Sequence, residues 1–304
     1  TFSCGASWLP TYKLGILELI GDDPLKPNAW KKRATPVFTG NDSTIGVGHS
    51  CFVNSLDNSE RWHIYHAKRD RDAGWRRTVF VQPMKTGKRG FPLLGQALTK
   101  GSVTLRPHGQ KPFPVEQMVK ESLRGKTTPE NFSYFGHHQY AKPTSHGFEL
   151  GIIPDEPVNE FRSGEKLVFD NRLPTDLRIA VTIDFLDRSN ARDAGLLFRT
   201  TGSSIGYDAQ RGYFAGLIPS TNLIIFGKTD GETWNELARQ QHTINATKKQ
   251  RLAVTCKGDQ FTVSLNGNPM ISVRDTTYDR GTIGMRVVNT HAVFSDLECS
   301  PLTK

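Results

Sequence analysis

The sequence predicts an all-β chain: an incomplete β-propeller, its last one to two blades, followed by a β-sandwich jelly roll. Three observations predict it. Short apolar runs recur along the chain between clusters of Gly, Pro, Asn, Asp and Ser, the punctuation of turns. No amphipathic helix of any length reads in residues 1–106. In residues 148–301 about ten runs alternate apolar and polar residues with period two at spacings of roughly 8–12 residues. The 28 glycines and 17 prolines suit such a turn-rich chain.

In chain order, Tyr12 to Ile20 reads as a strand and Asp22 to Pro27 as a turn cluster. Pro36 to Phe38 is a short apolar run. Ser50 to Asn54, Trp62 to Ala67 and Thr78 to Met84 are further strands, with Leu56 to Ser59 as a polar hairpin tip. Sheet units of this size fit propeller blades over residues 1–106. Residues 107–147 are polar, basic and broken by Pro107, Pro112, Pro114, Pro129 and Pro143; they read as a linker with one short helix at Val115 to Leu123. Residues 148–304 then form the sandwich. Its strands include Leu177 to Phe185, Gly195 to Arg199, Gly212 to Gly216, Asn222 to Phe226, Arg251 to Thr255, Gln260 to Leu265 and Thr282 to Val287. Asn266-Gly267 between two runs is a strong hairpin signal.

Length and composition bound the function. A chain of 304 residues suggests about two domains. No run of about 18 apolar residues exists, so no membrane partner is expected, and no secretory h-region opens the chain. Thr1 to Cys4 reads as strand interior rather than the start of a translation product. The net charge of +9 raises nucleic acid, and residues 61–90 hold nine Lys/Arg against two Asp. No nucleic-acid motif or interleaved exposed aromatic accompanies that charge, so no nucleic-acid partner is expected. It reads as solvated surface, with attraction to an acidic polysaccharide as the next reading. Cys4 and Cys51 fall early and Cys256 and Cys299 late, which permits one disulfide in each part and fits no zinc motif. With sequons at Asn41, Asn131 and Asn245, the cysteines lean toward a secreted, extracellular protein.

The ordered set Tyr12-Lys-Leu-Gly15, Asp23-Pro-Leu25, Trp30-Lys31, Pro36-Val-Phe38, Gly46-Val-Gly-His49, Tyr65-His-Ala67, Gln82 and Gly90-Phe-Pro92 resembles the five-bladed propellers of glycoside hydrolase family 43, over about 105 residues. It looks most like the exo-acting α-L-arabinofuranosidase branch. Leu167-Val-Phe-Asp170, Ala194 to Arg199, Gly212 to Gly216, Leu265-Asn-Gly267, Asp275 and Gly281 to Gly284 resemble concanavalin-like, laminin-G-type jelly rolls, including family 66 carbohydrate-binding modules that bind fructans.

The first resemblance implies an inverting hydrolase with a base, an acid-tuning aspartate and an acid glutamate from earlier blades, so no catalytic residue is assignable here. The local carboxylates Glu18, Asp22, Asp23, Asp57, Glu60, Asp70 and Asp72 read as turn residues or ion-pair partners. His49 lies between glycine-rich neighbours that allow close backbone approach. The resemblance implies that it sits at the propeller axis beside a cation or ordered water, with calcium a candidate; no cofactor is required. It also implies an arginine of this blade in the sugar subsite, here Arg77, whose neighbour Arg76 points the opposite way. In the sandwich, sugar recognition needs an aromatic platform and bidentate polar groups. Arg199 ends an apolar strand and needs a partner, with Asp193 expected; Tyr213 and Trp234 are the expected platforms.

The chain thus reads as a fragment of a hydrolase acting on arabinofuranosyl linkages in plant cell-wall polysaccharide such as arabinan or arabinoxylan, inactive alone, with the missing propeller portion as its partner. The alternative is a non-catalytic protein in which the sandwich binds fructan or arabinan.

Overall fold

Period-two alternation over short runs can bury only one face of a strand, so the runs must pair into sheets. The computed structural model describes residues 1–102, 104, 106–109, 118–136, 140–151, 164–186 and 191–302. The chain is all-β and divides into two units, Thr1–Pro112 and Phe113–Lys304. Among the described residues no helix is long and apolar enough to cross a membrane.

In the first unit β1 (Phe2–Cys4) pairs with β2 (Lys13–Gly15), and β3 (Leu17–Leu19) with β4 (Trp30–Lys32). A four-stranded antiparallel sheet follows in chain order: β5 (Gly48–Asn54), β6 (Arg61–Lys68), β7 (Arg77–Thr86) and β8 (Pro92–Leu93). His63, Tyr65 and Ala67 share one face of β6 and lie buried, with Tyr65 and Ala67 in a cluster with Leu14, Phe38, Val47 and Leu94. Tyr65 Oη donates to Gln82 Oε1 at 2.8 Å, and Gln82 Nε2 donates to the carbonyl oxygens of Leu94 at 2.5 Å and Gln96 at 3.1 Å. This buried network ties the segment after β8 to the sheet. The strand expected from Tyr12 to Ile20 splits in two. Leu14 bridges to Phe38, whereas Leu17 and Leu19 turn outward to pair with β4 and Glu18 faces Arg33 at 3.9 Å.

In the second unit the strands are β9 (Val119–Glu121), β10 (Phe132–Phe135), β11 (Ala141–Thr144), β12 (Gly147–Gly151), β13 (Lys166–Phe169), β14 (Leu177–Phe185), β15 (Asp193–Thr201), β16 (Arg211–Ile218), β17 (Leu223–Asp230), β18 (Trp234–Gln241), β19 (Gln250–Lys257), β20 (Gln260–Leu265), β21 (Asn268–Arg274), β22 (Thr282–Val288) and β23 (His291–Pro301). One sheet has the order β10-β13-β22-β15-β16-β17-β18. The other runs β11-β12-β23-β14-β19-β20-β21, with β9 also pairing to β23. Alternate residues of β14, β15, β16, β19 and β20, among them Ile179, Val181, Phe198, Tyr213, Val254 and Phe261, fill one core between the sheets.

Two expectations are corrected. Residues 107–147 are not a linker throughout, because β9, β10 and β11 lie inside this range and pair into the sandwich. Phe132 packs on Phe169 at a ring separation of 5.2 Å. These strands are three or four residues long and interrupted by turns, too short to show an alternation. Val119–Glu121 is strand, not helix, and residues 115–117 lie outside the described ones. Second, Cys256 and Cys299 sit on strands flanking β14, opposite Leu177 and Ile179. Two strand spacings are about 9.6 Å, beyond the roughly 7 Å limit for a disulfide. All four cysteines are free, and burial pushes the Cys256 thiol up to about 12.

Candidate functional site

In the first unit the registers of β5, β6 and β7 gather the histidines and Arg77. A bulge between Gly48 and Cys51 holds His49 at φ 49° and turns its side chain out of the ladder. Its backbone N–H donates to Ser3 Oγ at 2.9 Å. The exposed imidazole stacks on His66, with centroids 5.6 Å apart, and His66 lies 5.8 Å from the Tyr12 ring. His66 Nε2 is buried without a partner. Burial, then the charges of Arg77 and His49, bring its imidazole down to about 4. Arg77 is engaged by backbone: Nη1 donates to Gly74 O at 2.7 Å and Nη2 to Ser7 O. It fixes two loops, so its Nη atoms are engaged by backbone at the position expected to supply the sugar-subsite arginine. Among the described residues no group of three or more His, Cys, Asp or Glu could hold a metal ion. The rings beside His49 are those of His66 and, beyond it, Tyr12, whereas calcium takes oxygen ligands. Of the local carboxylates, Asp70 pairs with Arg76 at 3.5 Å and Asp57 accepts from Ser55 and Ser59 in its hairpin tip.

In the second unit two of the four expected residues are structural. Arg199 is buried at a bulge of β15 and donates to the carbonyl oxygens of Tyr278, Thr175 and Gly258 at 3.1, 3.0 and 2.8 Å. Its nearest carboxylate is Asp176 at 4.0 Å, not the expected Asp193. Tyr213 is 0% exposed, packs between Phe198, Phe226 and Phe261, and donates to Asp275 Oδ1 at 2.6 Å. No face remains for a sugar, so its reading as a platform is corrected.

The other two meet on the face of the seven-stranded sheet that looks away from the main core. Strand register explains it. Asp193, Gly195 and Leu197 alternate along β15, and Gly195 lies opposite Arg286 of β22 on one side and Gly216 of β16 on the other. Lys166 of β13 is the next residue in that row. Because neither glycine has a side chain, the buried Arg286 guanidinium reaches across to lie 3.9 Å from the Phe214 ring and 5.9 Å from that of Trp234. Phe214 and Trp234 meet edge to face at 6.1 Å. Arg286 Nη2 is 4.0 Å from Asp193 Oδ2 and Nη1 is 3.6 Å from Asp208 Oδ1. Two atoms in this cluster, Asp193 Oδ1 and Arg286 Nε, are buried without a hydrogen-bond partner.

Residues 202–210 strap this face. Lys166 Nζ donates to the carbonyl oxygens of Ser204 at 2.9 Å and Gly206 at 2.5 Å, and Arg286 Nη1 donates to Tyr207 O at 3.1 Å. Burial brings Lys166 down to about 7 and pushes the Asp193 carboxyl up to about 6, the latter against the pull of Arg286. An acceptor carboxylate, a donor guanidinium and an aromatic edge together offer what a sugar's hydroxyls and C–H face require. Sequence reading missed Arg286, Lys166 and Asp208. For the first two the available signal was a charge in an otherwise apolar strand, Arg286 in Thr282–Val288 and Lys166 in Lys166–Phe169; Asp208, in a loop, carried none.

No family model matches the chain. A levanase of Bacillus subtilis (strain 168) is 27% identical over 135 residues, 44% of this chain and 19% of that protein. An extracellular exo-α-(1→5)-L-arabinofuranosidase of Streptomyces chartreusis is 37% identical over 54 residues, 17% of this chain and 16% of that protein. The chain therefore spans less than a fifth of these relatives' length, 19% and 16%. The carbohydrate-binding module CBM66 of B. subtilis aligns in structure at 19% identity and TM-score 0.47, covering 56% of this chain and 95% of the module. A GH43 protein of Bacillus licheniformis aligns at 14% identity and TM-score 0.48, covering 99% of this chain and 62% of that one. These are the two groups that the sequence resembles.

Proposed function

We propose that this chain binds carbohydrate through the strapped face of its sandwich, as the accessory and closing part of an extracellular family 43-type glycosidase. The observation that carries this reading is the pair of buried, unpartnered polar atoms, Asp193 Oδ1 and Arg286 Nε, beside an aromatic edge. Buried polar atoms cost about 1–3 kcal/mol when left unpaired, and sugar hydroxyls are bifunctional groups that satisfy both. These atoms lie beneath the 202–210 strap, so a sugar reaches them as the strap lifts: a hydroxyl then donates to Asp193, a neighbouring one accepts from Arg286, and the ring's C–H face rests on half-buried Trp234. Buried Lys166 holds the strap through the Ser204 and Gly206 carbonyls. The relatives' names supply the probes: levan for fructan and linear arabinan for an arabinofuranosyl polymer.

In this reading the first unit is the last one to two blades of a five-bladed propeller. The catalytic carboxylates belong to the portion that packs beside it, and the parent enzyme hydrolyses arabinofuranosyl linkages of plant cell-wall polysaccharide. The adjacent His49 and His66 are that unit's contribution near the propeller axis.

Affinity electrophoresis and calorimetry of the whole chain on levan and arabinan test the proposal. Retardation by one polymer, lost in Asp193→Asn and Trp234→Ala but kept in Tyr12→Phe, is expected. Binding indifferent to both sandwich variants would falsify the site. Hydrolysis of an aryl arabinofuranoside by this chain alone would sink the account of absent carboxylates.

A further inference from the structure

The first unit exposes an aromatic pair that the sandwich reading leaves unused. Trp8 and Trp75 are 45% and 71% exposed, with ring centroids 5.8 Å apart and planes tilted by 50°. Exposed tryptophans on mobile loops would mean little, but these are fixed from behind. The N–H of Gly74 donates to Trp8 O at 3.0 Å. Buried Lys68 donates through Nζ to Trp8 O at 2.9 Å and Gly74 O at 3.0 Å. Arg77 donates to Gly74 O and to Ser7 O, and its guanidinium lies 5.7 Å from the Trp75 ring centroid. Two loops distant in sequence are thus clamped together, and the rings are held for contact without further ordering cost.

The charge around them is net positive, although Asp70 pairs with Arg76 at 3.5 Å. Residues 68–77 carry Lys68, Arg69, Arg71, Arg76 and Arg77 against Asp70 and Asp72. Arg69 donates to Arg77 O at 2.8 Å and Arg71 to Asp42 O at 2.7 Å. Like the bonds of Lys68 and Arg77, these satisfy donors without neutralising them. An apolar, ring-shaped surface inside a cationic field selects a ligand with stackable rings and negative charge.

We propose that Trp8 and Trp75 form a platform for an anionic, uronate-bearing polysaccharide, with the 68–77 loop supplying the counter-charge. A sugar ring rests its C–H face on the outer face of Trp75 while its carboxylate meets the arginines. Trp75, exposed among these arginines, overturns the expectation that no exposed aromatic interleaves with the basic residues; the absence of a nucleic-acid motif in the sequence favours a glycan, and single-stranded RNA is the alternative that the test separates. This site uses first-unit residues alone and shares none with the sandwich face.

The test is tryptophan fluorescence of the whole chain titrated with polygalacturonate, neutral arabinan and single-stranded RNA, at low and at 300 mM salt. Polygalacturonate should shift the emission, bind at least tenfold more weakly in Trp75→Ala and in Trp8→Ala, and weaken with salt as exposed charges are screened. Trp30→Ala, at an exposed tryptophan outside this pair, should leave that binding unchanged. Circular dichroism and the melting temperature of Trp75→Ala should match the parent, since the ring is mostly exposed. Undiminished polygalacturonate binding in both tryptophan variants, neutral arabinan binding that falls equally in Trp75→Ala, or tighter binding of RNA would overturn the proposal.

Discussion

Asp193 shows how much one side chain's meaning depends on its neighbours. In sequence it is an acid before an apolar strand; in the fold it is the free acceptor of a buried cluster, and burial pushes its carboxyl up to about 6. Its charged form accepts the sugar hydroxyl, so ligand affinity should fall as pH drops through about 6, by up to roughly tenfold per pH unit. Calorimetry between pH 7.5 and 5 would show it, and Asp193→Asn should bind weakly without that dependence. His63 is the opposite case, a buried imidazole with both nitrogens unpartnered among Phe38, Phe52 and Tyr65. Burial brings it down to about 4 from 6.5. Above pH 6.5 both folded and unfolded chains hold it neutral. From 6.5 down to about 4 the unfolded chain takes up a proton that the folded unit refuses, so stability is lost across that window. His63→Phe should remove this loss and raise stability at pH 5 by about 1–3 kcal/mol, measured by urea unfolding at both pH values.

At the scale of elements, the strapped face exists because β15 and β16 place two glycines where side chains would stand. A Cβ on Gly216 would lie 2.4 Å from a ring carbon of Phe214 and 3.0 Å from Asp193 Oδ1. Gly216→Ala should therefore displace the ring on which Arg286 rests. We expect a loss of about 1–3 kcal/mol together with loss of glycan binding, read by thermal melting and affinity electrophoresis. Long strands such as Leu177–Phe185 were legible because nine residues carry several alternations. The strands β9 to β11, of three or four residues each, were not, because such pieces are recognised only by the edge they pair with. The glycines beside His49 were legible as a close backbone approach, but the bulge between Gly48 and Cys51, the φ of 49° and the histidine neighbour were not.

At the scale of the molecule the two units differ in how well they bury their apolar surface. The sandwich has one continuous core between two sheets. The first unit leaves Val79, Val81, Leu56 and Trp75 of its four-stranded sheet and adjoining turns exposed. Calorimetric scanning of the whole chain should accordingly resolve two transitions, the lower from the first unit. Gly216→Ala should move only the upper one, and His63→Phe only the lower. A single transition moved by both variants would contradict this division.

The amino-acid order alone determined that the chain is all-β, where its long strands and the Asn266-Gly267 hairpin fall, and which known groups it resembles. Local periodicity and turn chemistry carry that information within a few residues of each position. Only the tertiary structure decided that Asp193 answers to Arg286 rather than to Arg199, and that Tyr213 is core while Trp234 lies beside that charge cluster. Those facts depend on which strands lie side by side and in what register. Strand pairing joins residues far apart along the chain, and no local pattern records it.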